Sequence, residues 1–328
     1  MKNKPLIIVS GEPYSIFSEI FYKIFKSSFY KKYKIPIILI GSKNIIEMQM
    51  KKMKYSYKIN LIKKNEIENA KLNNFEINLI DVKLKFKKPF GKITNKSSKY
   101  IKECFEIAIN IMKKKLGFAL INGPVSKTHF LHGKYNGITE YLSHKTYKKN
   151  DEVMLIYNKL LSVCPITTHI PLKNVSKRIS SNEILKKITT INKFYKTNLK
   201  KIPKFAVTGL NPHCESNFKN NEENKIIKPA IKRAQKKNLK VKGPFPADTL
   251  FTKNNIKKFD VVIGMYHDQV ITPLKTLYNF NAINITLGLP FIRISPDHGT
   301  NNQMLGKKKS DPTSLKEALI FLKKLNEN

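Results

Sequence analysis

Cysteines and long apolar runs are scarce in this 328-residue chain, and each scarcity excludes a class of protein. The three cysteines, Cys104, Cys164 and Cys214, are odd in number and form no CxxC pair, which excludes a disulfide framework and a zinc knuckle. Apolar runs such as "PIILI" fall far short of the about 18 residues that a membrane-spanning helix needs. The amino-terminal stretch meets Glu12 too early for a signal peptide. We therefore expect a cytoplasmic protein in a reducing compartment, with no membrane partner.

Nucleotide-binding glycine motifs are also absent. Neither GxGxxG nor GxxxxGKS/T occurs among the 13 glycines, so a standard Rossmann dinucleotide site and a P-loop are both unsupported. A nucleotide cofactor would need another loop. The segment "SPDHGTNNQMLGKKKSDPTS" at 295–314 is the candidate.

The net charge of +39 would suit a nucleic-acid-binding protein, yet the kind and distribution of the basic residues argue against it. Lysines are spread along the whole chain, and only three of the 62 basic residues are arginines, the side chain that binds phosphates and base edges in a bidentate manner. No DNA- or RNA-binding motif is present. We expect no specific nucleic-acid partner, only nonspecific binding of polyanions at low salt.

Short apolar runs alternate with helical patterns from end to end, and this alternation predicts an α/β fold. The runs have the uninterrupted apolar content of strands that are buried on both faces. Repeated β-α-β units predict a mostly parallel sheet flanked by helices and divided into two subdomains, with ligands bound beyond the carboxyl ends of the strands. The runs lie at 5–11, 35–42, 75–82, 118–124, 160–172, 204–213, 259–268 and 282–295.

Amphipathic helices are predicted between and after these runs. The clearest spans 97–115, and Ser97 or Ser98 can cap its start. Its apolar positions share one helical face: Ile101, Phe105, Ala108 and Met112. Further helices are predicted near 181–195, 222–237 and 313–325.

Three of the seven histidines follow an apolar strand: His169 in "PITTHIPL", His213 in "VTGLNPHCE" and His267 in "VIGMYHDQ". A single histidine at such a position is usually a hydrogen-bonded loop residue. Three at the ends of parallel strands would converge on one sheet edge, and three neutral imidazoles with positions open for water or substrate make a catalytic divalent-metal site. Both interpretations stay open on the histidines alone. Cys214, beside His213, is predicted to be a packing residue.

Charged residues near these strand ends have two interpretations each. Asp268 and Asp248 can orient imidazoles or move protons, or they can be turn and helix-capping carboxylates. Lys275 can meet an anion or be a solvated surface charge. Arg293 is more informative, because it lies inside the apolar run "LGLPFIRIS", where an isolated guanidinium would be costly. It should meet an anion of the protein or of a substrate.

Seven segments together resemble the 4-hydroxythreonine-4-phosphate dehydrogenase family of vitamin B6 biosynthesis. They occur in the family's order from about residue 118 to 315, with a weaker trace in "SGEP" at 10–13. Each segment is weak alone, whereas the ordered set is specific. The segments are "GPVSK", "GITEYL", "TTHIPL", "GLNPHCE", "GPFPADTLF", "YHDQVITPLK" and "INITLGLPFIRISPDHGT".

The resemblance implies a two-subdomain fold of the isocitrate and isopropylmalate dehydrogenase type. Residues 1–127 with 290–328 would form the first α/β subdomain, which includes the cofactor loop. Residues 128–289 would form the second, which carries the metal and the dimer interface. A homodimer with its active site between subunits is implied as well.

Individual residues fall on the family's functional positions. The resemblance implies a divalent cation (zinc, magnesium or cobalt) bound by His169, His213 and His267. The substrate-contacting positions correspond to Thr139, Lys275, Asn284 and Arg293. The segment Asp297, His298, Gly299 and Thr300 resembles the part that related dehydrogenases use for the adenosine of the cofactor. Asp248 and Asp268 are the candidates for proton handling.

The implied reaction is NAD-dependent oxidation of the C3 hydroxyl of 4-phosphooxy-L-threonine, followed by decarboxylation to 3-amino-2-oxopropyl phosphate. A metal held by imidazoles would acidify the hydroxyl and then polarise the new carbonyl. Two alternatives stay open. Ile138 stands where the family has a substrate-contacting histidine, which suggests a sibling dehydrogenase of threonate or erythronate 4-phosphate. The other is a basic interaction protein that keeps the fold without catalysis.

Overall fold

The computed structural model describes residues 4–135, 137–146, 152–214, 221–279 and 281–327. The chain forms two compact units, Met1–Asn150 with Leu289–Glu327, and Asp151–Gly288. Each unit has a sheet with helices packed on it, so the predicted α/β class is confirmed. Within the described residues no helix combines the length and the hydropathy that crossing a bilayer requires.

The strands of the described residues are numbered along the chain. They are β1 (Leu6–Val9), β2 (Ile37–Gly41), β3 (Ile59–Leu61), β4 (Ile77–Asp81), β5 (Ala119–Asn122), β6 (Val153–Tyr157), β7 (Ser162–Thr167), β8 (Phe205–Thr208), β9 (Val241–Phe245), β10 (Val261–Tyr266), β11 (Ile283–Leu287) and β12 (Ile292–Pro296).

The α-helices are numbered in the same way. They are α1 (Phe17–Lys26), α2 (Ser28–Lys31), α3 (Lys43–Lys52), α4 (Ser98–Lys113), α5 (Ile138–Thr146), α6 (Val175–Arg178), α7 (Ser181–Asn198), α8 (Lys228–Lys236), α9 (Ala247–Leu250), α10 (Lys253–Ile256), α11 (His267–Tyr278) and α12 (Thr313–Glu327).

The sheet of the first unit has the order β3-β4-β2-β1-β5-β12, and all of these pairings are parallel. Its central strands are rich in Ile, Leu and Val, and every residue of β1 is buried. The continuous apolar run at 5–11 predicts this burial on both faces. Because the strands run the same way, the turns after Val9, Asn122 and Pro296 share one edge of the sheet.

Helix α4 packs on this sheet through the face that its periodicity predicts, which is Ile101, Phe105, Ala108 and Met112. The predicted cap is wrong. The hydroxyl of Ser97 contacts Glu12 and Thr94, and Ser98 donates to the carbonyl of His129, so neither side chain caps the helix.

Residues 128–135 and 137–146 belong to the first unit and pack against α4. The ring of Phe130 lies 6.0 Å from that of Phe105 on α4, and the ring of Tyr141 on α5 contacts both. Leu131 and Leu142 belong to the same apolar cluster. The boundary between the compact units falls at residue 150, whereas the subdomain boundary at residue 127 rests on the resemblance and stays a prediction.

The sheet of the second unit has the order β11-β6-β7-β10-β8-β9. Strands β7, β10, β8 and β9 are parallel, and β6 is antiparallel to both β7 and β11. Strand β6 was not predicted from the sequence. The apolar run at 282–295 is divided in the structure into β11 and β12. Gly288 follows β11 with φ of +88°, a conformation that side chains rarely adopt, so the extended run ends there.

Candidate functional site

Three adjacent strands of the second unit each lead to one of the predicted metal ligands. Strands β7, β10 and β8 are parallel neighbours, and Thr167 of β7 is in register with Tyr266 of β10. His169 follows β7, His267 begins α11 after β10, and His213 lies in the turn after β8. The strand arrangement on which the prediction depended is therefore present.

His169 and His267 lie beside one another. Their ring centroids are 5.9 Å apart and their planes are inclined by 39°. The carboxylate of Asp268 lies 2.6 Å from Nδ1 of His267. A carboxylate on Nδ1 orients an imidazole and leaves Nε2 available as a ligand atom, which is the usual support of metal-binding histidines. Asp268 thus lies where it can orient the imidazole, and both this role and proton transfer stay predictions.

A buried carboxylate holds the turn that carries His213. The backbone N–H groups of Leu210 and Asn211 each donate to Oε1 of Glu223 at 2.8 Å, and the Asn211 amide donates to Oε2 at 2.9 Å. Burial raises the pKa of Glu223, but these hydrogen bonds outweigh it and lower the pKa below its ordinary value. Glu223 was not predicted from the sequence. The available signal was that acidic residues are rare in this chain, which has only 23 of them.

Gln269 connects the ends of β8 and β10. Its Oε1 accepts from Oγ1 of Thr208 at 2.9 Å and from the backbone N–H of Met265 at 2.7 Å. Its amide donates to the carbonyl of Gly209 at 2.7 Å. The turn that leads to His213 is therefore bonded to the helix that begins with His267. No role for Gln269 was predicted from the sequence.

Whether the sheet edge after β7, β10 and β8 can bind a divalent cation depends on the ligand atoms that it offers. Imidazoles, one of them with a carboxylate behind it, are ligands that such cations prefer. Within the ranges that the structure describes, no group of three or more His, Cys, Asp or Glu side chains has metal-binding geometry. His169 and His267 are close together, and His213 does not complete a set of three ligands with them. The donor chemistry fits, and metal binding stays a prediction.

The other predicted site residues of the second unit lie on separate elements. Asp248 is exposed in the first turn of α9, and its carboxylate accepts from the backbone N–H of Thr249 at 2.8 Å. Lys275 is half-buried on α11, the helix of His267. Asn284 on β11 has a buried Oδ1 atom that lacks a hydrogen-bond partner among the described residues. A hydroxyl or ammonium group of a ligand would satisfy that oxygen.

Arg293 is fully buried in the first unit and is held from two sides. Its Nε donates to Oδ1 of Asn122 at 2.8 Å, and its Nη1 donates to Oγ1 of Thr139 at 3.1 Å. Burial lowers the pKa of Arg293 to about 10, and the nearby carboxylate of Glu140 opposes that shift. The guanidinium therefore stays charged at neutral pH. The structure brings Arg293 and Thr139 together and adds Asn122, a polar strand-end residue that was not predicted from the sequence, while substrate contact by Arg293 and Thr139 stays a prediction.

The predicted cofactor segment follows β12 and contacts the turn after β1. The backbone N–H of Ile16 donates to the carbonyl of Thr300 at 3.1 Å. The backbone N–H of Asp297 donates to Oγ of Ser314 at 2.7 Å, which attaches the segment to the start of α12. Both of its ends are therefore fixed by hydrogen bonds.

His298 and Gly299, in the middle of this segment, have features of a ligand site. The ring of His298 stacks on Phe17 with centroids 6.2 Å apart, and burial lowers its pKa. Its Nε2 is buried and has no hydrogen-bond partner within the described part of the chain. Gly299 is exposed, and a Cβ there would meet no atom within 4 Å. The segment offers an open backbone face and a polar atom that a dinucleotide could use.

Sheets of mostly parallel strands with polar residues at their carboxyl edges are typical of α/β enzymes in general. A β-decarboxylating dehydrogenase of Thermococcus kodakarensis shares this fold with a TM-score of 0.51 at 11% identity, over 98% of this chain and 83% of that one. The model of the family described as pyridoxal phosphate biosynthetic protein PdxA matches residues 32–321. The chain belongs to this family.

Similar proteins support this assignment, and their alignments with this chain cover nearly the full length of both. A 4-hydroxythreonine-4-phosphate dehydrogenase of Sulfurihydrogenibium sp. is 37% identical over 98% of this chain and 99% of its own. A protein of Oceanobacillus iheyensis, provisionally named D-threonate 4-phosphate dehydrogenase, is 32% identical over 97% of both chains. The crystal structure of the 4-hydroxythreonine-4-phosphate dehydrogenase of Klebsiella pneumoniae has a TM-score of 0.84 at 28% identity, over 99% of this chain and 100% of that one. The protein is thus a dehydrogenase of pyridoxal phosphate biosynthesis.

Proposed function

We propose that this protein oxidises 4-phosphooxy-L-threonine at C3 with NAD and decarboxylates the product to 3-amino-2-oxopropyl phosphate. The observation that supports it most is that His169, His267 and His213 follow three adjacent parallel strands. The substrate is inferred from the Sulfurihydrogenibium relative, which carries that activity in its name.

His169, His213 and His267 would hold a divalent cation, which is zinc, magnesium or cobalt in this proposal. When bound, the cation supplies a Lewis acid that favours loss of the C3 hydroxyl proton and withdraws electrons during decarboxylation. Asp268 keeps the His267 ring in the ligating orientation through Nδ1. Asp248, with its exposed carboxylate on α9, is the candidate for accepting the hydroxyl proton.

Arg293, Thr139, Lys275 and Asn284 would bind the substrate. Arg293 contributes a positively charged guanidinium group whose orientation is fixed by its hydrogen bond to Asn122, so it suits a phosphate or carboxylate group. Lys275 contributes a second positive charge. Asn284 would accept a hydrogen bond from the substrate's hydroxyl or ammonium group, because its buried Oδ1 still needs a donor within the described residues.

NAD would be held through its adenosine part by Asp297, His298, Gly299 and Thr300, and its nicotinamide would supply the hydride acceptor for the oxidation. Its adenosine part would meet the open face of Gly299 and the buried Nε2 of His298. We further propose a homodimer with its active site between subunits. A cytoplasmic location is supported by the three cysteines, which are all free thiols.

The test is NADH formation, followed by absorbance, with purified protein, 4-phosphooxy-L-threonine, NAD and each divalent cation in turn. We expect turnover that a chelator abolishes. His213→Ala should remove it, whereas His144→Ala, which removes a ring beside Tyr135 and its hydrogen bond with the Tyr135 hydroxyl, should not. A metal-loaded homodimer that gives no NADH would refute the proposal.

Dehydrogenation of threonate or erythronate 4-phosphate is a second candidate, favoured by Ile138. This residue begins α5 and packs against the apolar cluster of the first unit, so it offers no hydrogen bond to an amino group. The relative from Oceanobacillus iheyensis has such a substrate in its name. A panel of the three phosphorylated acids separates the candidates, because the amino group is the difference between them. Higher kcat/KM for an acid without an amino group would favour the second.

A further inference from the structure

Glu12 is a buried carboxyl group in the turn after β1, with 1% of its surface exposed. Its backbone N–H donates to the carbonyl of Pro124 at 2.8 Å. At the preceding Gly11, with φ of +74°, an added Cβ would lie 2.5 Å from the same carbonyl oxygen. The turn after β1 is therefore packed tightly against the turn after β5.

The hydroxyl of Ser97 lies between two oxygen atoms. Its Oγ is 3.2 Å from Oε2 of Glu12 and 3.0 Å from the carbonyl oxygen of Thr94. A hydroxyl carries one proton, and a carbonyl oxygen only accepts. When Ser97 donates to Thr94, its contact with Glu12 is a hydrogen bond only if Oε2 carries a proton. Both contacts are satisfied together when Glu12 is a neutral acid that donates to Ser97.

Burial favours the same neutral form. It raises the pKa of Glu12 to about 7, although hydrogen bonds with Ser97 and with the backbone of Tyr14 act in the opposite direction. The other oxygen, Oε1, is buried and has no hydrogen-bond partner in the described ranges. In the neutral acid Oε1 is a carbonyl-type acceptor, and a buried acceptor costs free energy until a donor reaches it.

The turn that holds Glu12 also contacts the segment assigned to the cofactor. The carbonyl of Thr300 accepts from Ile16, and the amide of Asn302 donates to the carbonyl of Tyr14 at 3.2 Å. The first residue of α1, Phe17, stacks on His298. Strands β1, β5 and β12 are parallel neighbours, so Glu12 and residues 297–300 emerge at the same sheet edge.

We propose that Glu12, as a neutral carboxylic acid, binds the dinucleotide by accepting a hydrogen bond at Oε1 from a ribose hydroxyl or a carboxamide N–H group. The inference rests on the proposed NAD site and adds a residue to it. Ionisation would draw the Ser97 proton away from Thr94 and would place a negative charge near a ligand that carries two phosphates. NAD binding is therefore coupled to the neutral form and weakens as the pH rises above about 7.

Other titratable groups on the surrounding segments must be separated from Glu12. Burial, followed by the charge of Glu12, raises the pKa of Tyr14, so its phenol stays neutral in the relevant range. Burial lowers the pKa of His298, so that ring changes charge at a lower pH than Glu12. Further charged or titratable side chains on the neighbouring segments include Lys88, Lys96, Lys127, His129 and Asp297.

The test is calorimetric titration of the metal-loaded protein with NAD between about pH 6 and pH 9, in buffers of different ionisation enthalpy. For the wild-type protein we expect affinity to fall by up to about tenfold per pH unit above pH 7, with uptake of close to one proton. Glu12→Gln keeps both an acceptor and a donor, so it should bind NAD equally at every pH and take up no proton. Glu103→Gln, an exposed change on α4, should behave like the wild type.

Three results would count against the inference. The same pH dependence in the wild type and Glu12→Gln would assign the titration to another group. Loss of NAD binding by a folded Glu12→Gln at every pH would mean that the neutral isostere does not replace the acid. A wild-type protein that binds no NAD at any pH would overturn both the proposed cofactor and this inference. This outcome is measured on the wild-type protein alone, so it is distinguished from a failure of the Glu12 inference.

Discussion

Arg293 donates from Nε to Oδ1 of Asn122 over 2.8 Å, and both side chains are buried on neighbouring strands. The amide nitrogen of Asn122 donates to the carbonyl of Gly123 at 2.9 Å, which fixes the amide oxygen toward the guanidinium. The pair sets the direction in which the guanidinium reaches Thr139. Asn122 is thus a positioning residue for the charge that we propose to meet the substrate.

Asn122→Ala should therefore lower the free energy of unfolding by about 1–3 kcal/mol, because a buried charged donor loses its acceptor. It should also raise the KM for the phosphorylated substrate more than it lowers kcat. Urea denaturation and steady-state kinetics measure the two effects. Asn122→Asp keeps the acceptor and should lie closer to the wild type in stability. A variant with wild-type stability and KM would contradict the role of Asn122.

Asp268→Ala should weaken binding of the divalent cation by roughly 10- to 100-fold, because the His267 ring loses the carboxylate that orients it. Competition with a metal-sensitive chelating dye measures the affinity. Asp268→Asn retains an oxygen that can accept from Nδ1, so it should lose less. Equal affinities for the wild type and Asp268→Ala would show that the carboxylate does not support a ligand.

Glu223→Gln should lower the free energy of unfolding by roughly 1.5–3 kcal/mol near neutral pH, because charge-assisted hydrogen bonds to the turn before His213 are lost. The pKa of Glu223 is lowered in the fold, so its stabilisation is present above the ordinary value of 4.5 and disappears as the pH falls through the folded-state pKa. Urea denaturation at several pH values should show the two proteins converging in acid. A difference that does not depend on pH would contradict the ionised state.

Glu12→Gln should raise the free energy of unfolding at high pH, whereas Glu223→Gln lowers it. The pKa of Glu12 rises from 4.5 to about 7 on folding, so its stabilisation is complete below 4.5 and is lost as the pH rises through 7. That shift corresponds to on the order of 3 kcal/mol. The variant does not titrate, so it should match the wild type in acid and exceed it by about that amount above pH 7. Denaturation curves that stay parallel across this range would argue against a buried neutral acid.

Gly123→Ala should lower stability by about 1–3 kcal/mol, because its Cβ would lie 2.3 Å from the carbonyl oxygen of Ser10 and 2.8 Å from the ring of Phe17. Gly299→Ala is the matched control. A Cβ at Gly299 meets nothing within 4 Å, so its effect should stay within about 0.5 kcal/mol. Thermal unfolding compares the two variants. If both behave alike, the close approach of the turns after β1 and β5 is not what requires a glycine at Gly123.

The limits of prediction from the sequence are visible in single elements. Strand β6 was missed because its pairings, antiparallel to β7 and β11, do not follow from the β-α-β pattern. The serines before α4 matched a capping pattern, yet the hydroxyl of Ser97 meets Glu12, 85 residues away. Local sequence patterns predict which residues are buried and whether a segment is a helix or a strand. They do not predict which distant residue forms a hydrogen bond with a polar side chain.

The sequence by itself determined the α/β class, the mostly parallel strands and the histidines that follow them, because uninterrupted apolar runs require burial on both faces. It also indicated that Arg293 must meet a polar partner, because a lone buried charge is costly. Only the tertiary structure decided which partner that is. Asn122 is 171 residues from Arg293 in the chain, and Glu12 meets Ser97 through a turn packed on another strand. A buried polar group needs a partner, but strand order and register decide which distant residue supplies it.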